Sequence, residues 1–216
     1  MIYKKEIAYQ EILRRINSAE YPAQSYIDEQ SIAAELNTSR TPVREALMEL
    51  AKEGYLEILP KRGIIVLPFT YQNAMDIFQT RLLIEPWLIT TYGPLLTKEE
   101  LEGEYALIRE DINAYPEVRE RPGVSILHHP HSLLVEHCTN QLIRGILEDM
   151  EKQSHRTPNE RMIARKYPDG LDREQLIKNH DVLVDLMLEG KFEEAAEEMK
   201  WHVQNGQEEY MKYWFG

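Results

Sequence analysis

Cysteine is almost missing from this sequence: Cys138 is the single one in 216 residues. An internal disulfide is therefore excluded, and one thiol fits a reducing cytoplasm. Long apolar runs are missing too, since the longest, such as residues 63–69, fall far below the roughly 18 residues of a membrane span. The opening of the chain is charged throughout and lacks the apolar centre of a signal peptide. These absences predict a cytoplasmic protein with no membrane partner.

Positive charge is also scarce. The chain has 25 Lys and Arg against 37 Asp and Glu, a formal net charge of −12. Taken alone, this charge argues against nucleic-acid binding, which needs clustered cations. The shortage is uneven, because residues 1–70 carry 9 cations against 10 anions and residues 71–216 carry 16 against 27. The acidic excess therefore belongs to the second part of the chain.

The first 70 residues carry the pattern of three helices followed by a β-hairpin. Apolar residues recur at helical spacing in three segments, and the cap signal Asn37-Thr38-Ser39 separates the second segment from the third. Two β-rich runs follow, joined by Pro60-Lys61-Arg62-Gly63. The predicted helices cover residues 2–17, 31–36 and 41–53, and the predicted strands cover residues 55–59 and 64–67. This order predicts a winged helix-turn-helix.

Beyond residue 70 the β pattern disappears and helical spacing replaces it. Gly and Pro residues separate the helical segments. The predicted helices cover residues 71–92, 98–114, 131–150, 151–166, 172–189 and 191–213. We therefore predict a mainly α protein of two domains, a winged helix-turn-helix DNA-binding domain over residues 1–69 and an all-helical bundle over residues 70–216.

The third predicted helix separates its charges by sign. On a helical wheel, Arg40 and Arg44 share one edge, and the opposite edge holds Glu45, Glu49 and Glu53. Solvated helices more commonly mix the two signs, so this separation favours a positive edge that faces a polyanion. The predicted contact set is completed at the helix start and at the hairpin tip by Ser39, Thr41, Lys61, Arg62 and Gly63. The alternative is a core helix whose two arginines are merely exposed.

A family resemblance covers about residues 5–68. The run Leu-Asn-Thr-Ser-Arg-Thr-Pro-Val-Arg-Glu-Ala-Leu over residues 36–47, the Glu-Gly-Tyr-Leu of residues 53–56 and the Arg-Gly-Ile-Ile-Val of residues 62–66 resemble the GntR-family winged-helix domain. The resemblance implies that Arg40 and Arg44 are the main DNA-contacting side chains, assisted by Ser39, Thr41 and the wing residues Lys61, Arg62 and Gly63. One turn departs from the family pattern, because its usual Pro-Gly is here Pro22-Ala23.

Histidines are confined to the second part of the chain, and three of the seven interrupt apolar helix stripes. His180 and His202 lie 10 and 12 residues from Gly190, where two predicted helices meet, so an antiparallel hairpin puts them at nearly equal height. His131 occupies a similar stripe. Each histidine alone is typical of a core imidazole bonded to backbone or water. Three imidazoles that converge in an apolar interior instead favour a divalent transition-metal site.

The helical segment resembles the FCD ligand-binding domain that follows many GntR winged helices, a bundle with three metal-binding histidines. The matching residues are Arg81 with Glu85, His131 with Asn140, Asn179 with His180, the run 189–195, and Met199 with His202. The resemblance implies that His131, His180 and His202 hold zinc, nickel or manganese, and that Arg81 contacts a small carboxylate effector. The family's metal-binding aspartate corresponds to Leu127, so either His128 is a fourth ligand or the site has only three protein ligands. An ordinary i,i+4 pair between Arg81 and Glu85 is the alternative role of that arginine.

The predicted function is a one-component transcription regulator and not an enzyme. We expect a homodimer that binds double-stranded operator DNA with a palindromic or near-palindromic sequence, and effector occupancy that changes the spacing of the two winged helices. A metal-dependent enzyme is the rival, but the sequence has no nucleophile elbow, phosphate loop or HExxH motif, and the rival leaves the first 70 residues unexplained. A metal-free helical sensor on the same DNA-binding domain is the third hypothesis.

Overall fold

The computed structural model of the chain describes residues 2–113, 129–154 and 173–215. The chain divides into two compact units, Met1–Thr70 and Tyr71–Gly216. The first unit holds three helices and a small sheet, and the second is helical wherever it is described apart from short turns. The predicted mainly α class, with a winged helix before a helical bundle, is confirmed. In the described ranges, no helix combines the length and the apolar character that a bilayer crossing requires.

The first unit is built around one buried helix. Its elements are α1 (Ile2–Asn17), β1 (Tyr26–Ile27), α2 (Glu29–Glu35), α3 (Arg40–Lys52), β2 (Leu56–Leu59) and β3 (Gly63–Val66). Helix α3 packs against α1, α2 and β2, and Val43, Ala46, Leu47 and Leu50 on its inner face have no exposed surface. The sheet has the order β1-β3-β2 with both pairs antiparallel, so β2 and β3 form the wing.

Local hydrogen bonds account for the differences from the predicted elements in this unit. Helix α2 begins two residues earlier than predicted, because the Asp28 side chain caps it by accepting from the backbone N–H groups of Gln30 and Ser31. The strand β1 was not predicted at all. Two residues are too short to show a period of two, and the pairing of Tyr26 with Ile65 depends on residues far along the chain.

The second unit contains the helices α4 (Tyr71–Tyr92), α5 (Lys98–Asn113), α6 (His129–His137), α7 (Gln141–Ser154), α8 (Arg173–Leu188) and α9 (Phe192–Phe215), with a 3-10 turn at Gly93–Leu95. Helix α9 packs against α4 and α8, and α5 packs against α8 and α6. The core between them includes Ile89, Leu134, Met199 and Val203, each 1% exposed or less.

The prediction of one helix over residues 131–150 and another over 151–166 is wrong. Helix α6 ends at His137, and α7 runs from Gln141 without a break at residue 150. The break lies at Asn140, whose side-chain oxygen accepts from the backbone N–H groups of Leu142 and Ile143 and so caps α7. The remainder of the predicted segment, residues 155–166, lies outside the described residues.

Gly93 offers a test of packing in the second unit. A Cβ atom at this position would lie 2.8 Å from Cδ1 and 3.1 Å from Cε1 of Phe192, the first residue of α9. We expect Gly93→Ala to destabilise the protein by about 1–3 kcal/mol, because the half-buried Phe192 ring, packed at the start of α9, must shift to make room for the new methyl group. Thermal melting followed by circular dichroism measures the change.

Gly145 provides the matched control. It lies inside α7, and nothing lies within 4 Å of where its Cβ would be. Gly145→Ala should therefore stabilise the helix by about 0.5–1 kcal/mol. Equal melting of the two variants would contradict the close approach of Gly93 to Phe192.

Candidate nucleic-acid interface and candidate metal centre

The predicted DNA-contacting residues of α3 lie together on the surface. Ser39 is the N-cap residue of α3 and makes no side-chain capping bond, and Ser39, Arg40, Thr41 and Arg44 are all exposed. The Nη2 of Arg40 donates to Oε1 of Gln30 at 2.5 Å. The Arg44 side chain is 72% exposed and lies 3.8 Å, Nε to Oε1, from Glu29. The two arginines thus project from the start of α3 beside the first turn of α2.

The acidic edge of α3 contacts helix α1. Lys5 lies 2.5 Å from Glu49, and the Tyr9 hydroxyl donates to Oε2 of Glu53 at 2.7 Å. Burial, followed by that hydrogen bond, raises the pKa of Tyr9, and the hydrogen bond from Lys5 to Glu49 raises the pKa of Lys5. The separation of charge by sign therefore has a structural cause: one edge of α3 pairs with α1, and the other faces outward.

The wing tip depends on unusual backbone conformations. Lys61 and Gly63 have φ values of +63° and +113°, and the backbone N–H of Arg62 donates to the carbonyl of Leu59. A Cβ at Gly63 would lie 3.3 Å from the Tyr26 ring, so glycine fits this position for two reasons. The side chains of Lys61 and Arg62 are exposed.

The wing and helix α3 border the same open cavity of about 400 Å³. Arg44 and Met48 of α3, Ile58 and Lys61 of the wing, and Glu29 of α2 contribute to its lining. Met48 and Ile58 are 48% and 46% exposed, so the cavity has apolar lining residues in addition to the cations Arg44 and Lys61. The structure therefore brings the two predicted parts of the interface, the start of α3 and the wing tip, to one surface.

Two of the three predicted metal ligands are in contact. His180 on α8 is 2% exposed, and its ring lies 5.0 Å, centroid to centroid, from the half-buried ring of His202 on α9, at an angle of 65°. This is the arrangement that equal heights on the hairpin predict. Two adjacent imidazoles in an apolar bundle are donors that suit zinc, nickel or manganese.

The third ligand is not described. His131 lies on α6, but its side chain falls outside the described residues, as does the whole of His128. Among the side chains that are described, no group of three His, Cys, Asp or Glu converges to hold a metal ion. The metal-binding roles of His131, His180, His202 and His128 therefore stay predictions.

Helix α8 is held to α5 next to His180 by a cluster that the sequence did not indicate. The Tyr105 hydroxyl donates to Asp181, and Arg109 lies 2.9 Å from the other oxygen of the same carboxylate. Desolvation and then the bond to Asp181 raise the pKa of Tyr105 to about 12. The Arg109 guanidinium also stacks over the Tyr105 ring at 4.5 Å. No sequence pattern joins residues 76 positions apart, so only the fold reveals this cluster.

Arg81 forms the intrahelical pair that was one of its two predicted roles. Its Nε donates to Oε1 of Glu85 at 2.8 Å, and the two side chains are 7% and 1% exposed. The guanidinium also lies 5.9 Å from the Phe78 ring, which is 5.8 Å from the ring of Tyr210. The carboxylate contact of Arg81 stays a prediction.

Two family models match the sequence. One, described as bacterial regulatory proteins of the gntR family, covers residues 4–66, and the other, described as the FCD domain, covers residues 76–205. The chain belongs to the GntR regulators that carry an FCD domain. The gntR family model and the relatives named below are described as regulators, so the enzyme hypothesis is set aside.

Named relatives of this GntR chain control operons. It is 38% identical over 82 residues to the gluconate operon transcriptional repressor of Bacillus subtilis, which covers 38% of this chain and 33% of the relative. It is 25% identical over 179 residues to the Nta operon transcriptional regulator of Aminobacter aminovorans, covering 82% and 80%. The chain spans less than half the length of the first curated relatives that it matches.

A solved structure shares the fold of the whole chain. A crystal structure of a transcriptional regulator GntR from Rhodococcus sp. RHA1 has a TM-score of 0.70 and 17% identity, with 98% of this chain and 99% of that one covered. At this identity the likeness shows the fold alone.

The pair of Arg81 and Glu85 gives a prediction about the FCD core. Arg81→Met leaves a buried carboxylate without its guanidinium, so we expect a loss of about 3–5 kcal/mol in the free energy of unfolding. The double variant Arg81→Met/Glu85→Leu removes both charges and should recover most of that loss. Urea denaturation of the three proteins measures this. A double variant as unstable as the single one would contradict a role of the pair in mutual charge compensation.

Proposed function

We propose that the protein is a ligand-responsive transcription regulator that binds operator DNA through its first unit. The observation that carries the proposal is the joint exposure of Arg40 and Arg44 at the start of α3 beside a wing with Lys61 and Arg62 at its tip. A positive helix edge with a neighbouring positive hairpin matches a major-groove reader with a backbone clamp. Membership in the GntR family supports it.

Each part of the interface has a different task in this proposal. The guanidinium groups of Arg40 and Arg44 donate to base edges, with guanine O6 and N7 as the preferred bidentate acceptors. The hydroxyl groups of Ser39 and Thr41 reach phosphates at the start of α3, where the helix dipole also favours an anion. Lys61 and Arg62 contact phosphates of the adjacent DNA backbone.

The second unit is proposed as the sensor. His180 and His202, joined by His131 and by His128 as a candidate fourth ligand, would hold a divalent zinc, nickel or manganese ion. Such a metal supplies open coordination positions for a small carboxylate. The adjacency of the two rings at 5.0 Å supports this. Arg81 is the proposed contact for the effector carboxylate, which would compete with Glu85 for the guanidinium.

A second copy of the chain is the proposed protein partner. Large apolar side chains are exposed on α4 and α7, two helices that pack against each other: Leu83 at 78%, Trp87 at 38%, Leu142 at 82% and Ile146 at 48%. Exposed apolar residues of this size favour an interface. Two copies related by a twofold axis would read a palindromic operator.

Replacing the two arginines of α3 tests the proposed role of this helix in DNA binding. Arg40→Ala and Arg44→Ala should each weaken operator binding by about 1–3 kcal/mol, the value of a lost bidentate base contact. Each phosphate contact should contribute about −0.9 to the slope of log affinity against log salt concentration, in spite of the net charge of −12. Electrophoretic mobility shift with an operator selected by the wild type measures both quantities.

Lys52→Ala is the control for charge loss, since Lys52 is an exposed cation in the last turn of the same helix. It should bind the operator as the wild type does. Arginine variants that bind at wild-type concentrations, or a flat salt response, would exclude this face of α3 as the DNA reader.

Metal content tests the sensor. Purified wild type should carry a divalent transition metal and melt at a higher temperature than after chelation, because a ligand of the native state adds about 2.7 kcal/mol at a hundred times its dissociation constant. His180→Ala and His202→Ala should lose the metal, and acidification below about pH 6.5, where free imidazole is protonated, should release it. Elemental analysis and thermal melting measure these effects.

His137→Ala serves as the matched control, because His137 contacts the Leu133 carbonyl and Glu100 instead of the histidine pair. It should keep the metal. A wild type with no metal and the same melting temperature with and without chelator would leave a metal-free sensor in place of the metal-dependent one.

A further inference from the structure

The first turn of α2 places one side chain against each of the two arginines that are proposed to contact bases, Arg40 and Arg44. Asp28 caps this turn through the backbone N–H groups of Gln30, at 3.0 Å, and Ser31, at 3.2 Å. Glu29 and Gln30 follow directly after this cap residue in the chain. Gln30 then accepts a hydrogen bond from Arg40, and Glu29 faces Arg44. One arginine thus has a neutral partner on α2, and the other has a charged one.

Glu29 is unusual because it is an anion within a surface that is proposed to face an anion. Its side chain is 29% exposed and lines the open cavity between α3 and the wing, together with Arg44 and Lys61. The acidic residues Glu49 and Glu53 of α3 point instead toward α1, where Lys5 and Tyr9 bind them. Packing against α1 therefore explains those two glutamates but not Glu29.

The separation of Glu29 from Arg44 defines what the carboxylate does. At 3.8 Å the contact is longer than an N–H···O hydrogen bond, so Glu29 acts on Arg44 through charge and leaves the guanidinium donors available to another acceptor. A phosphate that approaches Arg44 meets the repulsion of Glu29. A base edge that accepts two directed hydrogen bonds from Arg44 gains an interaction that does not depend on net charge alone.

We propose that Glu29 is a specificity-determining residue of this interface, an inference that rests on the DNA-binding function proposed above. Non-specific complexes depend on the attraction between cations and phosphates. The Glu29 carboxylate reduces the positive potential at Arg44 and so weakens non-specific complexes most. Operator complexes are weakened less, because there Arg44 also makes directed contacts with bases. The residue thereby increases the ratio of operator affinity to random-DNA affinity.

Glu29→Gln tests the inference because it removes the charge and keeps the size of the side chain. Full-length wild type first selects an operator from a random double-stranded library. Dissociation constants are then measured for that fragment and for a scrambled one at the same salt concentration. We expect Glu29→Gln to bind the scrambled fragment about twofold to fivefold more tightly, with a smaller change for the operator.

Two further proteins separate this effect from simpler ones. Glu45→Gln makes the same charge change on the α1 side of α3, where Glu45 helps to raise the pKa of Lys5, and it should leave the affinity ratio unchanged. In an Arg44→Ala background, Glu29→Gln should no longer change the ratio, because the two residues act on each other.

Each remaining outcome decides against the inference. The inference would be overturned if Glu29→Gln left the ratio of operator affinity to scrambled-DNA affinity unchanged, or if Glu45→Gln lowered that ratio equally. Neither result would affect the DNA-binding function. A lower melting temperature with equal weakening on both fragments would identify Glu29 as a structural residue of α2. If the wild type selects no DNA, the proposed function itself fails, and the inference fails with it.

Discussion

The first unit depends on helix α3 being buried on one face and exposed on another at the same time. Val43, Ala46, Leu47 and Leu50 have no exposed surface, and they join α1, α2 and the wing into one core. A helix packed in this way cannot rotate without exposing that core, so its polar edges are fixed in direction as well. The positions of Arg40 and Arg44 are therefore set by apolar packing. On the opposite edge, Glu49 and Glu53 bind side chains of α1.

The second unit meets a different constraint, because it carries polar groups inside an apolar bundle. Arg81, Glu85 and His180 are the buried polar residues in its described part, and burial of charge or imidazole costs free energy unless each group is compensated. The arginine and the glutamate compensate each other one helical turn apart. The hairpin at Gly190, with φ of +74°, brings His180 to His202. An apolar replacement is often at least as stabilising in such a core, which is consistent with the binding role proposed for these groups.

Local patterns in the sequence predicted the parts of both sites that lie on one helix or one hairpin. The wheel of α3 and the count of residues from Gly190 need only helical geometry, which is the same in every protein. Contacts between elements were missed. Glu29 and Gln30 meet the arginines only because α2 packs on α3, and Tyr105 meets Asp181 only because α5 packs on α8. The break at Asn140 was missed for another reason, since a single capping side chain interrupted an otherwise continuous apolar pattern.

Local charge also resolves the apparent conflict between an acidic protein and a DNA-binding role. At physiological ionic strength, exposed charges separated by more than about 8 Å are largely screened. The charges that decide affinity are therefore those at the interface, where Arg40, Arg44, Lys61 and Arg62 outnumber Glu29. It follows that the carboxylate of Glu29, 3.8 Å from Arg44, bears directly on the local charge of this interface, whereas the net charge of −12 is a sum over the whole chain.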